Sequence, residues 1–316
     1  MRTRRRNKRA RKHRVRRKTF RGGSDTKIKF FHWWNLGEIG TGIGSLPFFS
    51  ALLNGCIDTI DEVHVYGSIP PIDPSVAPET SPKILRIQFS GEVSHGNPGQ
   101  FDINSIAGVH PNTNNFLTIP FLSFYMHCHH MVMEQLTKPR VYYEHSKFCL
   151  FSVSNPKAQE RIHFFHELSK YKHVDSCGKH LKNVEGCPAN YESKEYFDFI
   201  KPYKFMICFE NTSLNNYLTE KIFNAYHSGA IPIYWGCPNI DQFINMDSIL
   251  YLKPGYTEKD VEKLIAKIKE LDEDEALYKK MFETSFLKAG KIPDEFRIEV
   301  LNKEMCKRIK SIERFK

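Results

Sequence analysis

Apolar positions along the chain fall into short runs separated by polar stretches rich in Gly and Pro. Ile28 to Trp34 reads as a first strand, and Glu62 to Tyr66 and Ile84 to Phe89 as two more. Between those two lies Pro70-Pro71-Ile72-Asp73-Pro74, which fits neither a helix nor a central strand. Phe116 to Tyr125 is a further extended apolar segment. The pattern turns polar around Glu134 to Pro139 and then resumes with a regular rhythm. Phe148 to Val153 is a strand, and Ser154-Asn155-Pro156 opens a helix with Ile162, Phe165 and Leu168 at helical spacing. Lys204 to Phe209 is a strand, Thr219 to Ser228 a helix ended by Gly229, and Ala230 to Trp235 the next strand. Thr257 and Asp260 have capping-box spacing ahead of Val261, Leu264, Ile265, Ile268 and Leu271, and a last amphipathic helix runs from about Glu299 to Ile312. Strands alternating with helices in this way predict a parallel α/β sheet. The boundaries follow: 1–26 a basic disordered tail and hinge, 27–138 one folded domain, 139–316 a second.

Charge changes the picture at one end only. The chain has 316 residues, 46 Lys+Arg and 36 Asp+Glu, a formal net charge of +10. Thirteen of the basic residues lie in Met1 to Arg21 with no acid among them, which leaves 33 against 36, or −3, for the remainder. A uniformly basic nucleic-acid-binding domain is excluded. The arm itself has the composition of a tether or address that contacts nucleic acid or an anionic membrane. No run approaches the roughly 18 to 20 apolar residues that cross a bilayer, and the N-terminus lacks the apolar core of a secretory signal. The eight cysteines show no CxxC or zinc spacing. Together these features predict a soluble cytoplasmic protein with reduced, buried thiols, although the spacing of Cys177 and Cys187 also admits a disulfide.

The segment Phe209-Glu210-Asn211-Thr212-Ser213-Leu214-Asn215-Asn216-Tyr217-Leu218-Thr219-Glu220-Lys221 is the most informative. It joins a buried strand to a helix, at the sheet edge where open α/β folds bind ligands and where helix N-termini present free N–H groups. With Thr219 as N-cap, Glu220 and Lys221 fall in the first helical turn. A Lys beside the positive end of the helix dipole is unfavourable for the helix alone, but makes sense if an anion such as a diphosphate occupies the site. Glu220 could then hold ribose hydroxyls.

This segment, continued through Ile231-Pro232-Ile233-Tyr234-Trp235-Gly236-Cys237-Pro238-Asn239, resembles the signature of the α1,3/4-fucosyltransferases, glycosyltransferase family 10. Phe89-Ser90-Gly91-Glu92 is similar to that family's aromatic-(Thr/Ser)-Gly-Glu loop, and Phe151-Ser152-Val153-Ser154-Asn155 to the first strand of its donor domain. The resemblance covers about Ile84 to Asn245. It implies a GT-B fold, two Rossmann-like domains facing a cleft, with 27–138 binding a glycan acceptor and 139–316 binding GDP-fucose. It further implies an inverting transferase with no obligatory metal or other cofactor, acting on O3 of a GlcNAc-type residue. Glu92 matches the family's general base, Lys221 its diphosphate-binding Lys, Glu220 its ribose-contacting Glu, and Asn211 and Tyr217 its donor-contacting Asn and Tyr. Where the family has a diphosphate-binding Arg after a Val-Asp-like strand end, this chain has Lys179 after Val174-Asp175-Ser176-Cys177-Gly178, with Lys182 nearby. A Lys keeps the charge but loses the bidentate fork.

Other groups read more plainly. Gly40, Gly42 and Gly44 are spaced GxGxG rather than GxGxxG, which suggests a mobile loop instead of a phosphate cradle. His127 and His129, beside Cys128 and His130, share one face of a strand but lack the partners of a metal site. Asp272-Glu273-Asp274 reads as a solvated loop, and Trp33 and Trp34 as core or sugar-stacking residues. Two rival readings remain open: a GT-B transferase with another nucleotide sugar, and an inactive relative that binds polyanions through its arm.

Overall fold

The structure is a computed structural model that describes residues 19–21, 27–31, 41–67, 81–91, 98–107, 113–128, 136–191 and 193–316. Two five-stranded sheets dominate it. The first has the order β1-β2-β3-β4-β5, with β1 Thr19–Arg21, β2 Lys27–Phe31, β3 Glu62–Tyr66, β4 Ile84–Ser90 and β5 Ile103–Ile106. Strands β2 to β5 run parallel, and β1 adds an antiparallel edge, Thr19 facing Lys29. The end of the expected basic tail is therefore a strand; the Trp pair lies outside the described residues. The second sheet, β10-β9-β8-β6-β7, is parallel throughout: β6 Lys147–Phe151, β7 Val174–Ser176, β8 Tyr203–Phe209, β9 Ile231–Trp235 and β10 Leu250–Tyr251. Both faces of these strands are buried, as continuous apolar runs in a parallel sheet require.

The helices are α1 Thr41–Leu52, α2 Phe121–Cys128, α3 Gln159–Ser169, α4 Lys194–Ile200, α5 Glu220–Ser228, α6 Glu258–Glu273, α7 Glu275–Phe282 and α8 Ile298–Ser311. Two of them correct the sequence reading. Gly42 and Gly44 belong to α1, not to a loop, because burial of Phe48, Phe49 and Leu52 outweighs their poor helix propensity. Phe121 to Cys128 is helical, not extended. Its residues are apolar or buried on nearly all sides, Leu122 through Met126 without a break, so periodicity carries no helical signal. His127 consequently sits on a helix, its ring 5.8 Å from that of Phe48, while His129 and His130 lie outside the described residues. Asp272 is no solvated loop residue either. It ends α6 with its side chain 4% exposed, held by Lys172 at 2.8 Å and Lys204 at 2.9 Å. At Thr257 the expected capping box forms, the Asp260 carboxylate accepting from the Thr257 amide at 2.9 Å and hydroxyl at 2.7 Å.

The cysteines depart from the expectation of reduced thiols, although the bond between Cys177 and Cys187 is the one that their spacing admits. Cys56 is bonded to Cys306 and Cys177 to Cys187, so four of the eight are disulfides and not thiols. The first bond joins chain positions 250 residues apart and fastens α8 to the first half. Leu301, Met305 and Ile309 of α8 are buried in the core under the first sheet, beside Phe48, Leu52, Val63 and Leu85. Asn302 Nδ2 caps α1 by donating to the Leu52 and Asn54 carbonyls, both at 3.0 Å. Arg308 Nε donates to the Phe116 carbonyl at 2.7 Å. A helix grouped by sequence with the second half thus completes the core of the first.

Among the described residues, no helix is long and apolar enough to cross a membrane. Met305 is fully buried in the shared core, so Met305→Ala is expected to cost about 2–5 kcal/mol of unfolding free energy. The adjacent Cys306→Ser should cost about 2–5 kcal/mol through loss of the long-range link. Urea titration followed by intrinsic fluorescence measures both; an unchanged midpoint for both would show that α8 is not part of that core.

Candidate functional site

After β6 the chain moves to β7 on one side of the second sheet, and from β8 onward it moves to the other side. The carboxyl ends of β6 and β8 therefore border a topological switch point, the crevice in which open α/β sheets bind ligands. Two helices begin there, α3 after β6 and α5 after β8. Each carries a cation in its first turn, Arg161 in α3 and Lys221 in α5. A cation beside the positive end of a helix dipole is unfavourable by itself. Two of them flanking one crevice define a place for an anion.

Arg161 is 2% exposed. One guanidinium nitrogen donates to Asn211 Oδ1 at 2.7 Å and another to the Asn155 carbonyl at 2.5 Å, so it spans the ends of β8 and β6. Sequence reasoning passed over it. The signal was available: Arg161 follows Asn155-Pro156 into a helix as Lys221 follows Thr219, and the same dipole argument applies to both.

Across the crevice, Lys221 is held by a carboxylate with no exposure to water. Glu210, the residue after β8, is 0% exposed. Its Oε1 accepts from the Thr219 amide at 2.9 Å, and its Oε2 accepts from the Thr219 hydroxyl at 2.7 Å and from Lys221 Nζ at 3.3 Å. Lys221 Nζ also donates to Thr219 Oγ1 at 2.9 Å and to Glu220 Oε1 at 3.4 Å. Thr219 is the N-cap of α5 as expected, but its side chain makes no capping bond and serves Glu210 instead. The Tyr234 hydroxyl approaches Glu210 Oε1 at 3.4 Å. Room for the carboxylate depends on Gly236: a Cβ there would lie 2.5 Å from Glu210 Cγ. Burial pushes the Glu210 carboxyl up from its ordinary range, and Lys221 opposes that shift.

The remaining candidates are distributed around this pair. Glu220 is half-buried against Lys221, with 20% of its side chain exposed. Lys179 stands exposed just beyond β7, its amide 3.4 Å from Ser154 Oγ at the end of β6. Lys182 is turned away into an ion pair with Glu185. Tyr217 is buried, its carbonyl accepting from the Tyr234 hydroxyl at 3.4 Å. It lines a cavity of about 380 Å³ between the two halves, together with Phe89, Gly91 and Phe121 from the first and Asn216 and Gln242 from the second. Gly91 fits only because it has no side chain, since a Cβ there would lie 2.3 Å from the Phe121 ring. Glu92 follows it in the chain and lies outside the described residues. Among the described residues no group of three or more His, Cys, Asp or Glu is placed to hold a metal ion.

Two α/β halves meeting at a cavity, with two first-turn cations beside the switch point of the second, form a GT-B architecture. Two solved α1,3-fucosyltransferase structures share it, the second of them with GDP-fucose, at TM-scores of 0.68 and 0.67 and 21% identity. The alignments cover 91% of both chains in the first case and 90% of both in the second. The family model described as glycosyltransferase family 10 (fucosyltransferase) C-term matches residues 142–316, more than half of the chain, and the chain belongs to that family. It is 37% identical over 126 residues to the α-(1,3)-fucosyltransferase FucT of Helicobacter pylori, covering 36% of this chain and 25% of that protein. It is 32% identical over 131 residues to GDP-fucose protein O-fucosyltransferase 3 of Xenopus laevis, covering 39% of this chain and 27% of that one. The match thus spans about a quarter of the length of these relatives.

Because burial raises the folded pKa of Glu210, its contribution to stability is complete below the ordinary value of 4.5 and is lost as pH climbs through the raised folded value. Glu210→Gln cannot ionise and escapes that loss. Its stability deficit relative to the parent should be largest near pH 4.5 and should narrow toward neutrality, read from melting temperatures across a pH series. A deficit that widens with pH would reverse the assignment.

Proposed function

We propose that this chain transfers L-fucose from GDP-β-L-fucose to a hydroxyl of an acceptor, with inversion at the anomeric carbon. The observation that carries the reading is the pair of first-turn cations, Arg161 and Lys221, on the two sides of the β6/β8 crevice. The diphosphate lies between them, and Lys179 at the rim adds a third positive charge. Asn211 and Tyr217 contact the donor, and Glu220 accepts from the ribose hydroxyls. Glu92, the residue after Gly91 in the family's aromatic-(Thr/Ser)-Gly-Glu pattern, takes the proton of the acceptor hydroxyl as that oxygen attacks the fucose anomeric carbon. The bond from that carbon to the diphosphate oxygen breaks, and GDP leaves with its developing charge held by the cations. The acceptor proposed is O3 of a GlcNAc-type sugar, giving an α-1,3-fucoside.

The O-fucosyltransferase relatives favour a second acceptor reading, a Ser or Thr hydroxyl of a protein, and the apolar walls of the cavity at Phe89 and Phe121 suit a peptide as well as a sugar face. A transfer assay with GDP-fucose against a panel of glycans and folded domains separates the two by product mass and linkage.

Glu92→Gln should lower turnover about 10²–10⁴-fold, the range of a lost general base, with GDP affinity nearly unchanged. Lys221→Ala and Arg161→Lys should each weaken GDP binding by roughly 1.5–3 kcal/mol, the worth of a hydrogen bond to a charged group. Calorimetry and initial rates measure these effects. Full turnover in Glu92→Gln removes the base assignment. Thermal stabilisation by UDP or CDP in place of GDP would move the chain to another donor.

A further inference from the structure

The three donors of the Lys221 ammonium already face three acceptors: Thr219 Oγ1 at 2.9 Å, Glu210 Oε2 at 3.3 Å and Glu220 Oε1 at 3.4 Å. A phosphate oxygen entering the crevice has to displace one of them. The two carboxylates are the longer contacts, and their fates on displacement differ. Glu220 keeps 20% of its side chain in water and can rehydrate as an anion. Glu210 is sealed behind Thr219, Tyr234 and Gly236 with no exposure at all, and cannot.

We propose that occupation of the crevice by a diphosphate drives Glu210 to take up a proton from solvent, so that donor binding and proton uptake are one coupled event. The inference rests on the reading of the crevice as a nucleoside-diphosphate site. Charge arithmetic supports it. The groups that bear on Glu210 are Lys221 and Glu220 on α5, Cys208 on β8, and Tyr234 and Cys237 on and after β9. Burial pushes the Cys208 thiol and the Tyr234 phenol well up, and the Cys237 thiol up to about 11, so all three are neutral at physiological pH. Arg161 is one step removed, on the side chain of the neighbouring Asn211. Among the described residues, Glu210 touches one positive side chain, Lys221, and feels the charge of one negative side chain, Glu220. A diphosphate adds negative charge on the far side of Lys221 and draws the ammonium toward itself. Both effects disfavour the Glu210 anion, and a buried carboxylate answers by binding a proton. Neutral Glu210 then keeps its contacts with Thr219 while Lys221 turns fully to the ligand. Glu210 is on this account a positioning residue: it holds Lys221 ready in the empty crevice and releases it to the donor.

The experiment is calorimetry of GDP-fucose binding to the full chain near pH 7, without acceptor, in two buffers of different ionisation enthalpy. GDP-fucose is the proper probe because its diphosphate is esterified at both ends and exchanges no proton near neutrality. The wild type should take up a proton fraction approaching one per donor bound. Glu210→Gln should bind donor with uptake reduced to near zero. Donor binding without proton uptake in the wild type overturns the proposal, as does uptake that persists in Glu210→Gln. Should Glu210→Gln fail to fold, the infrared difference spectrum of the wild type decides: a protonated-carboxyl band appearing on donor binding supports the coupling, and its absence defeats it. No binding heat at all would instead overturn the reading of the crevice, and the coupling with it.

Discussion

Glu210 places a carboxyl group where water does not reach, and much of the second half is arranged around that fact. A buried carboxylate persists only when its oxygens are met by donors. The chain meets them with the amide and hydroxyl of Thr219, the ammonium of Lys221 and the phenol of Tyr234. These come from the residue that starts α5, from its first turn, and from the neighbouring strand β9. The same bonds therefore fix where α5 begins relative to β8 and β9. Gly236 is needed at the turn after β9 for the same reason, since any side chain would take the space of the carboxylate. A single buried carboxyl group thus ties together the ends of two strands and the start of a helix, and the crevice beside it inherits that precision.

The linker between the halves secures the opposite end of α5. Arg140 donates to the Tyr226 and Ala230 carbonyls at 3.1 and 2.9 Å, and the Tyr143 hydroxyl to the Ser228 carbonyl at 3.1 Å. Carbonyls at a helix C-terminus are negative partial charges, and the buried Arg140 guanidinium neutralises them while stacking at 4.0 Å on both Tyr226 and Phe282. Along its length α5 is tied to α2 of the first half through Tyr125, whose hydroxyl donates to Asn224 Oδ1 at 2.6 Å. The helix that offers Lys221 to a ligand is consequently anchored at its start, its middle and its end by three different parts of the chain.

Local patterns were legible in the sequence wherever a residue's neighbours in the chain are also its neighbours in space. Thr219, Glu220 and Lys221 fall on one strand-to-helix connection, where dipole and capping arguments apply, while Asn211 is marked only by the family resemblance. Strands β3, β4, β6, β8 and β9 emerged from apolar runs bounded by turn residues. What failed was information held at a distance or erased by burial. Arg161 bears a local mark as a cation in a first helical turn, but its partner Asn211 is 50 positions further on and nothing local marks the pairing. Helix α2 is buried on so many sides that it lost its periodicity. The Cys56–Cys306 bond spans nearly the whole chain, beyond the reach of any spacing rule. Glu210 stood in plain view inside the signature, yet a lone Glu after a strand carries no sequence mark that it is sealed from water.

The return of α8 to the first sheet bears on how the molecule is made. Phe48, Leu52 and Val63 are synthesised more than 200 residues before their packing partners Leu301, Met305 and Ile309. The first sheet cannot close its core while the second is still being translated. Its apolar surface waits for α8, and the two halves reach their final state together instead of in the order in which they are encoded. A fold that looks like two beads in sequence thus matures as one object, with its last helix as the closing step.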